Sequence, residues 1–439
     1  MNSKIKPLVL VEINEINFDI VKEYVERNPG RFQALRLILS WPAAITSAEP
    51  TYEQNEPWIQ WVSVHTGLKF DEHKVFRLGD FVGNKFPQIF EILEKNGYTI
   101  GCISPMNAEN RLKDPAYFIP DPWTTTVPDK SWWSRNLSSA ISQVVNDNAK
   151  SKITLKSAFT LGLGLLKFSR VRNYRLYIKL LSGVIRRPWN KALLFDLFLS
   201  DIHINFINSR PSDLSVIFLN AGAHIQHHYL LNAQPVKEKT RILNPSWYVA
   251  SDVDPVLDML EAYNQILGSY IDLGGMSLLL ATGLSQVPYD RLKYYYRLSD
   301  HKRFLDLIGV RFKAVLPRMT RDFLVEFDDK SQMEDAVKRL GNIFVVGDGL
   351  RLFGAIEERD LSAFVTLTYQ NEINEFSQVL IDGKLFSILD HVVFVALKNG
   401  MHSQKGYVFH NGCISEKLPL DGFHVRELFN LLKRYFKVP

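Results

Sequence analysis

The chain has 439 residues, of which 46% are hydrophobic and 23% charged, with a net charge of +5. At ~100–200 residues per domain this length allows two or three domains, and the composition excludes collagen-like, coiled-coil and wholly disordered chains. Two cysteines, Cys102 and Cys413, exclude a disulfide framework and a cysteine-rich zinc site and fit a reducing compartment, so any metal must be held by His, Asp, Glu or Asn.

In residues 1–14 a few lysines precede the short apolar run 7–11, too short for a signal segment and without a small-residue cleavage site. It reads as the first core strand. Apolar stretches elsewhere, such as 159–166, fall far short of the roughly 20 residues of a spanning helix, and a cytoplasmic protein is expected. Leu8–Ile13 reads as a buried strand, 18–25 as the helix after it, 86–96 as an amphipathic helix ended by Gly97, and 98–103 as the next strand. That alternation predicts a mostly parallel sheet covered by helices. Residues 126–210 read as a helical excursion, and 151–210 carry eleven Lys and Arg against two Asp. The α/β rhythm resumes with strand Leu214–Leu219, helix 255–273 and strand 276–281. A second, α+β excursion comes next, with strands at 322–327, 343–346, 352–356 and 363–369 and a helix at 333–340. Strand 392–397 and helix 425–436 then return to the core. The expected division is core 1–125, basic helical insertion 126–210, core 211–310, α+β insertion 311–390 and core 391–439.

Ligands of open α/β sheets bind beyond the carboxyl ends of the strands, so the residues just after each strand matter most. After the first strand comes Glu12-Ile13-Asn14-Glu15-Ile16-Asn17; Asn17 suits a helix cap, and Glu12 at the strand end is the leading acid. After Leu214–Leu219 comes a segment with His224, His227 and His228. On a helix His224 and His228 share one face and His227 lies beside them, a spacing that suits a metal or a phosphate. Residues 53–68 gather amides, acids and tryptophans, among them Asn55, Glu56 and Trp58, an unusual composition for a connector. His402 comes after a glycine turn and is expected on a loop at the ligand edge.

The string Val64-His65-Thr66-Gly67-Leu68-Lys69-Phe70-Asp71-Glu72-His73 resembles the TGL-x-P-x-x-H-G stretch of type I phosphodiesterases and nucleotide pyrophosphatases in the alkaline phosphatase superfamily. Residues 86–103 resemble that family's next helix and strand, and the remaining pieces keep its order over about 250 residues. The resemblance sets Glu12 at the first metal-binding acid, Ala223 to His227 at a D-x-x-x-H segment, Thr282-Gly283 at an Asp-His pair, and His402 at a late histidine before the strand around Tyr407. It implies an alkaline-phosphatase-like α/β core. Ala223 and Thr282-Gly283 lack the family's ligands, so at most one divalent ion (Zn, Mn or Mg) is implied, on His227 and His402, or none. Asn55 takes the nucleophile position, where an amide cannot form a covalent phosphoryl intermediate, and direct displacement is expected.

These readings give Glu12, Asn55 and His227 as catalytic residues. Asn14, Glu56, Trp58, His224, His228 and Thr282 are the substrate contacts. The expected function is a divergent enzyme acting on a phosphate-containing small molecule, either a phosphodiester or a nucleotide sugar, in bacterial surface polysaccharide or envelope biosynthesis. A glycosyltransferase with a lipid-linked or polysaccharide acceptor and a catalytically inactive binding module are the alternatives. Residues 155–190 interleave basic with apolar side chains, which suits peripheral contact with an anionic inner membrane as well as a solvated helical face. No nucleic-acid reader motif accompanies the charge, and nucleic acid is not an expected partner.

Overall fold

The computed structural model describes residues 5–146, 153–318, 321–381, 383–414, 418–419 and 421–439. Residues 1–4 of the N-terminal segment and 147–152 of the basic stretch lie outside the described residues. The chain forms two compact units, one of Met1–Pro288 with Gly400–Pro439 and one of Tyr289–Asn399.

The first unit is built on an eight-stranded sheet. Its order is Phe423–His424, Ala43–Ser47, Lys405–His410, Ser277–Ala281, Leu8–Ile13, Leu214–Leu219, Ile100–Ile103 and Tyr117–Ile119. All pairings are parallel except those of Lys405–His410, which runs antiparallel to both neighbours. Leu8–Ile13 and Leu214–Leu219 are buried at every position, as continuous apolar runs covered on both faces must be. Helix Phe18–Arg27 starts where Asn17 accepts from the Asp19 and Ile20 amides, the cap read from the sequence.

Residues 126–210 are helical within the described residues, but they are not a separate body; they belong to the first unit. Helix Asn190–Ser209 is buried nearly all round between Asp196 and Ile207, polar Asp196, Asp201 and His203 included, so its middle has no solvent face to offer.

The second unit is α+β. Four antiparallel strands run in the order Ala355–Arg359, Ser362–Thr366, Asp322–Glu326 and Ala314–Pro317, and helix Lys330–Gly341 buries Met333, Ala336 and Leu340 at three- and four-residue spacing. This unit starts at Tyr289 rather than 311 because Ser285–Leu298 is a single strand, with Tyr294, Tyr296 and Leu298 buried in alternation. It ends at Asn399 rather than 390. Residues 392–397 therefore do not return to the core; they are part of the long strand Val392–Ser403, and the core strand is Lys405–His410. The strand expected at 352–356 starts only at Ala355, after Gly354.

Candidate functional site

Three side chains from distant parts of the first unit converge beyond the sheet. Glu15 Oε2 lies 2.9 Å from His227 Nε2 and 3.2 Å from His402 Nε2, and the two imidazole nitrogens are 3.2 Å apart. Glu15 comes just after strand Leu8–Ile13, and His227 is on helix Ala221–Tyr229 after Leu214–Leu219. His402 is at the end of strand Val392–Ser403 rather than on a loop, just ahead of Lys405–His410.

Glu15 is fixed at every polar atom. Its φ of 61° places it in the left-handed region, which a non-glycine residue enters only when its surroundings dictate it. Its amide donates to the Thr282 carbonyl at 3.0 Å and its own carbonyl accepts from Gln226 Nε2 at 2.8 Å. Oε1 accepts from Asn14 Nδ2 at 2.9 Å, and Oε2 accepts from Gln286 Nε2 at 2.6 Å. Burial alone would raise its pKa, but His227 and His402, when protonated beside it, more than offset that and hold the carboxyl well below the usual carboxylate range.

The imidazoles are oriented through their other nitrogens. His227 Nδ1 faces the Gly400 carbonyl at 3.4 Å, and His402 Nδ1 faces Glu56 Oε2 at 3.5 Å. An acceptor at Nδ1 holds the proton there and leaves Nε2 as a lone-pair donor, the arrangement by which proteins aim imidazoles at metals. Helix Ala221–Tyr229, which carries His227, is held from below: buried Asp196 accepts from the Asn220 amide at 3.2 Å and the Ala221 amide at 2.8 Å. Burial pushes Asp196 up to about 6. The strand bearing His402 comes in close because residue 400 has no side chain. A Cβ on Gly400 would lie 2.1 Å from Gln286 Oε1 and 2.7 Å from the Gln226 carbonyl oxygen.

Two lone-pair nitrogens and a carboxylate oxygen aimed at one point repel one another unless a proton or a metal cation stands among them. Donors around an ion at ~2.0–2.1 Å are about 2.9 Å apart at octahedral angles and about 3.4 Å apart at tetrahedral ones. The observed separations of 2.9, 3.2 and 3.2 Å fall in that interval, so the residues fit a single divalent ion. Glu15, His227 and His402 are the metal-capable cluster among the described residues. Three protein ligands leave room for substrate, as catalytic sites do.

The other residues singled out in the sequence fall in different places. Glu12 does not join the cluster. It is the penultimate residue of its strand, points into the layer under the sheet, and pairs with fully buried His65, Oε1 to Nε2 at 2.8 Å. Asn14 is turned inward to hold Glu15 and Asn220 and to accept from Trp61 Nε1, so it supports the site rather than facing a substrate. Thr282 is likewise spent on backbone, receiving the Glu15 and Tyr407 amides. Trp58 donates its indole N–H to the Phe76 carbonyl at 2.9 Å. His224 and His228 meet edge to face with ring centroids 4.9 Å apart, and His228 lies 6.3 Å from the His227 ring, beside the cluster. Glu56 does reach it, through His402. Asn55, next to Glu56, is buried, and its Oδ1 has no hydrogen-bond partner among the described residues.

Sequence reasoning misses Glu15, Gln226 and Gln286. Glu15 stands in the same acid-and-amide string as Glu12, and the signal is its place outside the strand: Leu-Val-Leu-Val-Glu-Ile carries Glu12 inside the pleat, whereas Glu15 falls in the turn. Nothing in the sequence marks Gln226 or Gln286. Ser63 and His73 also form a buried pair at 3.2 Å, but His73 Nδ1 accepts from the Val75 amide, so Nε2 donates and Ser63 is not activated. Burial pushes His73 down to about 4.

No family model matches the chain, and no curated protein matches it. Among solved structures it is similar to phosphonoacetate hydrolase from Sinorhizobium meliloti 1021 in complex with phosphonoacetate, at 12% identity over 98% of this chain and 96% of that one, TM-score 0.44. It is also similar to murine ectonucleotide pyrophosphatase/phosphodiesterase 5 in complex with AMP, at 10% identity over 99% and 96%, TM-score 0.44. A third is alkaline phosphatase from the Antarctic bacterium TAB5, at 10% identity over 99% and 99%, TM-score 0.37. The fold itself is mixed α/β with a mostly parallel central sheet.

Proposed function

We propose that this chain is a divergent enzyme of the alkaline phosphatase superfamily that acts on a phosphate-containing small molecule at a single-metal site. The observation that carries the reading is the convergence of Glu15, His227 and His402 on one point, with an acceptor behind each imidazole. A divalent Zn, Mn or Mg ion bound there would supply a Lewis acid for a phosphoryl oxygen. The chain's own residues do the rest. Glu15 is held by Asn14 and Gln286 so that its charge is fixed in place before substrate arrives, which is how a preorganised site lowers the cost of developing charge. Glu56 is a partly exposed carboxylate behind His402 and is the acid-base candidate at the open side. The Asn55 amide can hydrogen-bond a phosphoryl oxygen but cannot be esterified, which favours direct displacement over a phosphoenzyme.

The test is hydrolysis of bis-p-nitrophenyl phosphate, p-nitrophenyl phosphate and a nucleotide sugar by the full chain, before and after dialysis against chelator and after readdition of Zn, Mn or Mg. The expected result is about one ion per chain and hydrolysis that tracks the ion. Adding an acceptor alcohol to the nucleotide-sugar arm separates transfer from hydrolysis. Protein that retains no ion and turns over none of these substrates overturns the reading.

A further inference from the structure

Helix Leu155–Phe168 is built inside out. Its buried positions are Ser157, Thr160, Gly164 and Phe168, three or four residues apart on one face. Leu155, Phe159 and Leu166 point the other way and are 91%, 69% and 83% exposed. At 100° per residue these three lie within about 40° of one another and about 180° from the buried stripe. Helix Tyr174–Gly183 repeats the pattern, with Tyr174, Ile178 and Leu181 exposed at i, i+4 and i+7 and Ile185 just beyond at 95%. Isolated exposed apolar residues are ordinary, whereas a run of this size on neighbouring helices marks a covered surface.

Charge says what covers it. Residues 153–195 contain nine Lys and Arg and no Asp or Glu. Arg172, Lys179 and Arg187 pair with Asp272, Glu261 and Asp258 of the same unit. Lys156, Lys167, Arg175 and Arg186 are exposed beside the apolar stripes. A second copy of the chain is a poor occupant, since a two-fold contact would set this cationic rim against itself. Among the described residues no helix is long and apolar enough to cross a membrane, so the helices would lie on a surface rather than span it. The patch is also preformed. Buried Asp201 accepts from the Arg170 amide at 2.9 Å, Asn173 Nδ2 at 2.6 Å and the Tyr177 hydroxyl at 3.0 Å, which fixes the turn joining the two helices.

We propose that helices Leu155–Phe168 and Tyr174–Gly183 dock this protein on an anionic lipid bilayer. Leu155, Phe159, Leu166 and Ile178 enter the acyl boundary while the flanking cations meet the phosphate headgroups.

The experiment is cosedimentation of the full chain with vesicles of phosphatidylcholine alone and of phosphatidylcholine and phosphatidylglycerol in equal parts, across a salt series. The expected result is partition to the anionic vesicles only, weakening as salt shortens the Debye length from about 10 Å at 0.1 M. L155S/F159S/L166S and K156Q/K167Q/R175Q/R186Q change exposed positions only, and circular dichroism checks their fold. At about fivefold per charge near the surface, the second variant should lower the partition coefficient by more than about hundredfold. The salt series on the unaltered chain needs no variant. Failure of that chain to bind, binding indifferent to lipid charge, or a concentration-dependent dimer dissolved by the apolar variant would each overturn the proposal.

Discussion

Glu12 and Glu15 are three residues apart, and the fold gives them opposite surroundings. Glu12 is inside the last pleats of a strand, sealed with His65, and neither Glu12 Oε2 nor His65 Nδ1 has a partner among the described residues. Glu15 comes just beyond the strand in a left-handed conformation, accepts from Asn14 and Gln286, and faces His227 and His402. At the carboxyl edge of a parallel sheet, then, a carboxylate's role is set by whether it lies before or after the last ladder hydrogen bond. An acid before that point is turned into a covering layer and acts on stability. An acid after it is free to face the ligand edge.

The strongest test of this contrast is metal retention. His227→Ala, His402→Ala and Glu15→Gln should each abolish tight binding of the ion, and diester hydrolysis should fall by about 10³-fold or more, measured by metal analysis of desalted protein and by kcat/KM. Glu12→Ala should leave about one ion per chain and instead destabilise the fold by about 3–5 kcal/mol, the usual cost of breaking a buried pair from one side, measured by urea unfolding. Loss of the ion in Glu12→Ala at unchanged stability would reverse the two roles.

Asp196, the buried acid under the histidine helix, sharpens the comparison in pH. Its folded pKa of about 6 lies above the unfolded 3.8, so the folded state holds its proton more tightly. Its contribution is fully present at low pH and is lost as pH rises from about 4 to about 6. Relative to Asp196→Asn, the parent should lose up to about 3 kcal/mol across that window, read from unfolding curves at stepped pH. The smallest effect is expected at Gln286→Ala, which removes the amide that donates to Glu15 and to the Ala223 carbonyl but leaves all three ligands in place; metal affinity should drop by ~10–100-fold and stability by about 1–3 kcal/mol.

Much of the sheet is legible in the sequence because apolar runs such as Leu8–Ile13 and Leu214–Leu219 sit next to amphipathic helices, and burial on both faces leaves no other reading. Short strands are not. Ala43–Ser47 has alternating exposure and Tyr117–Ile119 only three residues, too little periodicity to stand out. The long strands Ser285–Leu298 and Val392–Ser403 set the start and end of the second unit; only the apolar first half of the latter, 392–397, stands out as a strand, and nothing in that run shows that it belongs to the second unit. In the site, position after a strand alone singles out His224 and His228 as well, whereas the two histidines 175 positions apart are legible through the family resemblance, which sets both on one site. The acid between them is not, because choosing Glu15 over Glu12 requires knowing where the strand stops to within a residue, and boundaries are where sequence patterns are weakest. Gln226 and Gln286 act through side-chain amides whose chemistry is the same on any surface, so only the folded chain distinguishes them.

Gly400 sets how closely the donors of the site stand. With no side chain at that position, the strand bearing His402 rests directly against Gln226 and Gln286, and backbone contact keeps the donor triangle small. Calcium takes six to eight oxygen ligands, whereas this cluster offers two imidazoles and the single carboxylate of Glu15. An ion held by this donor set would accordingly be a transition metal or magnesium rather than calcium, and the seat at Gly400 would keep the donors close around it. Alanine there would act as a wedge, spreading the donors and shifting that preference toward larger cations without altering a single ligand.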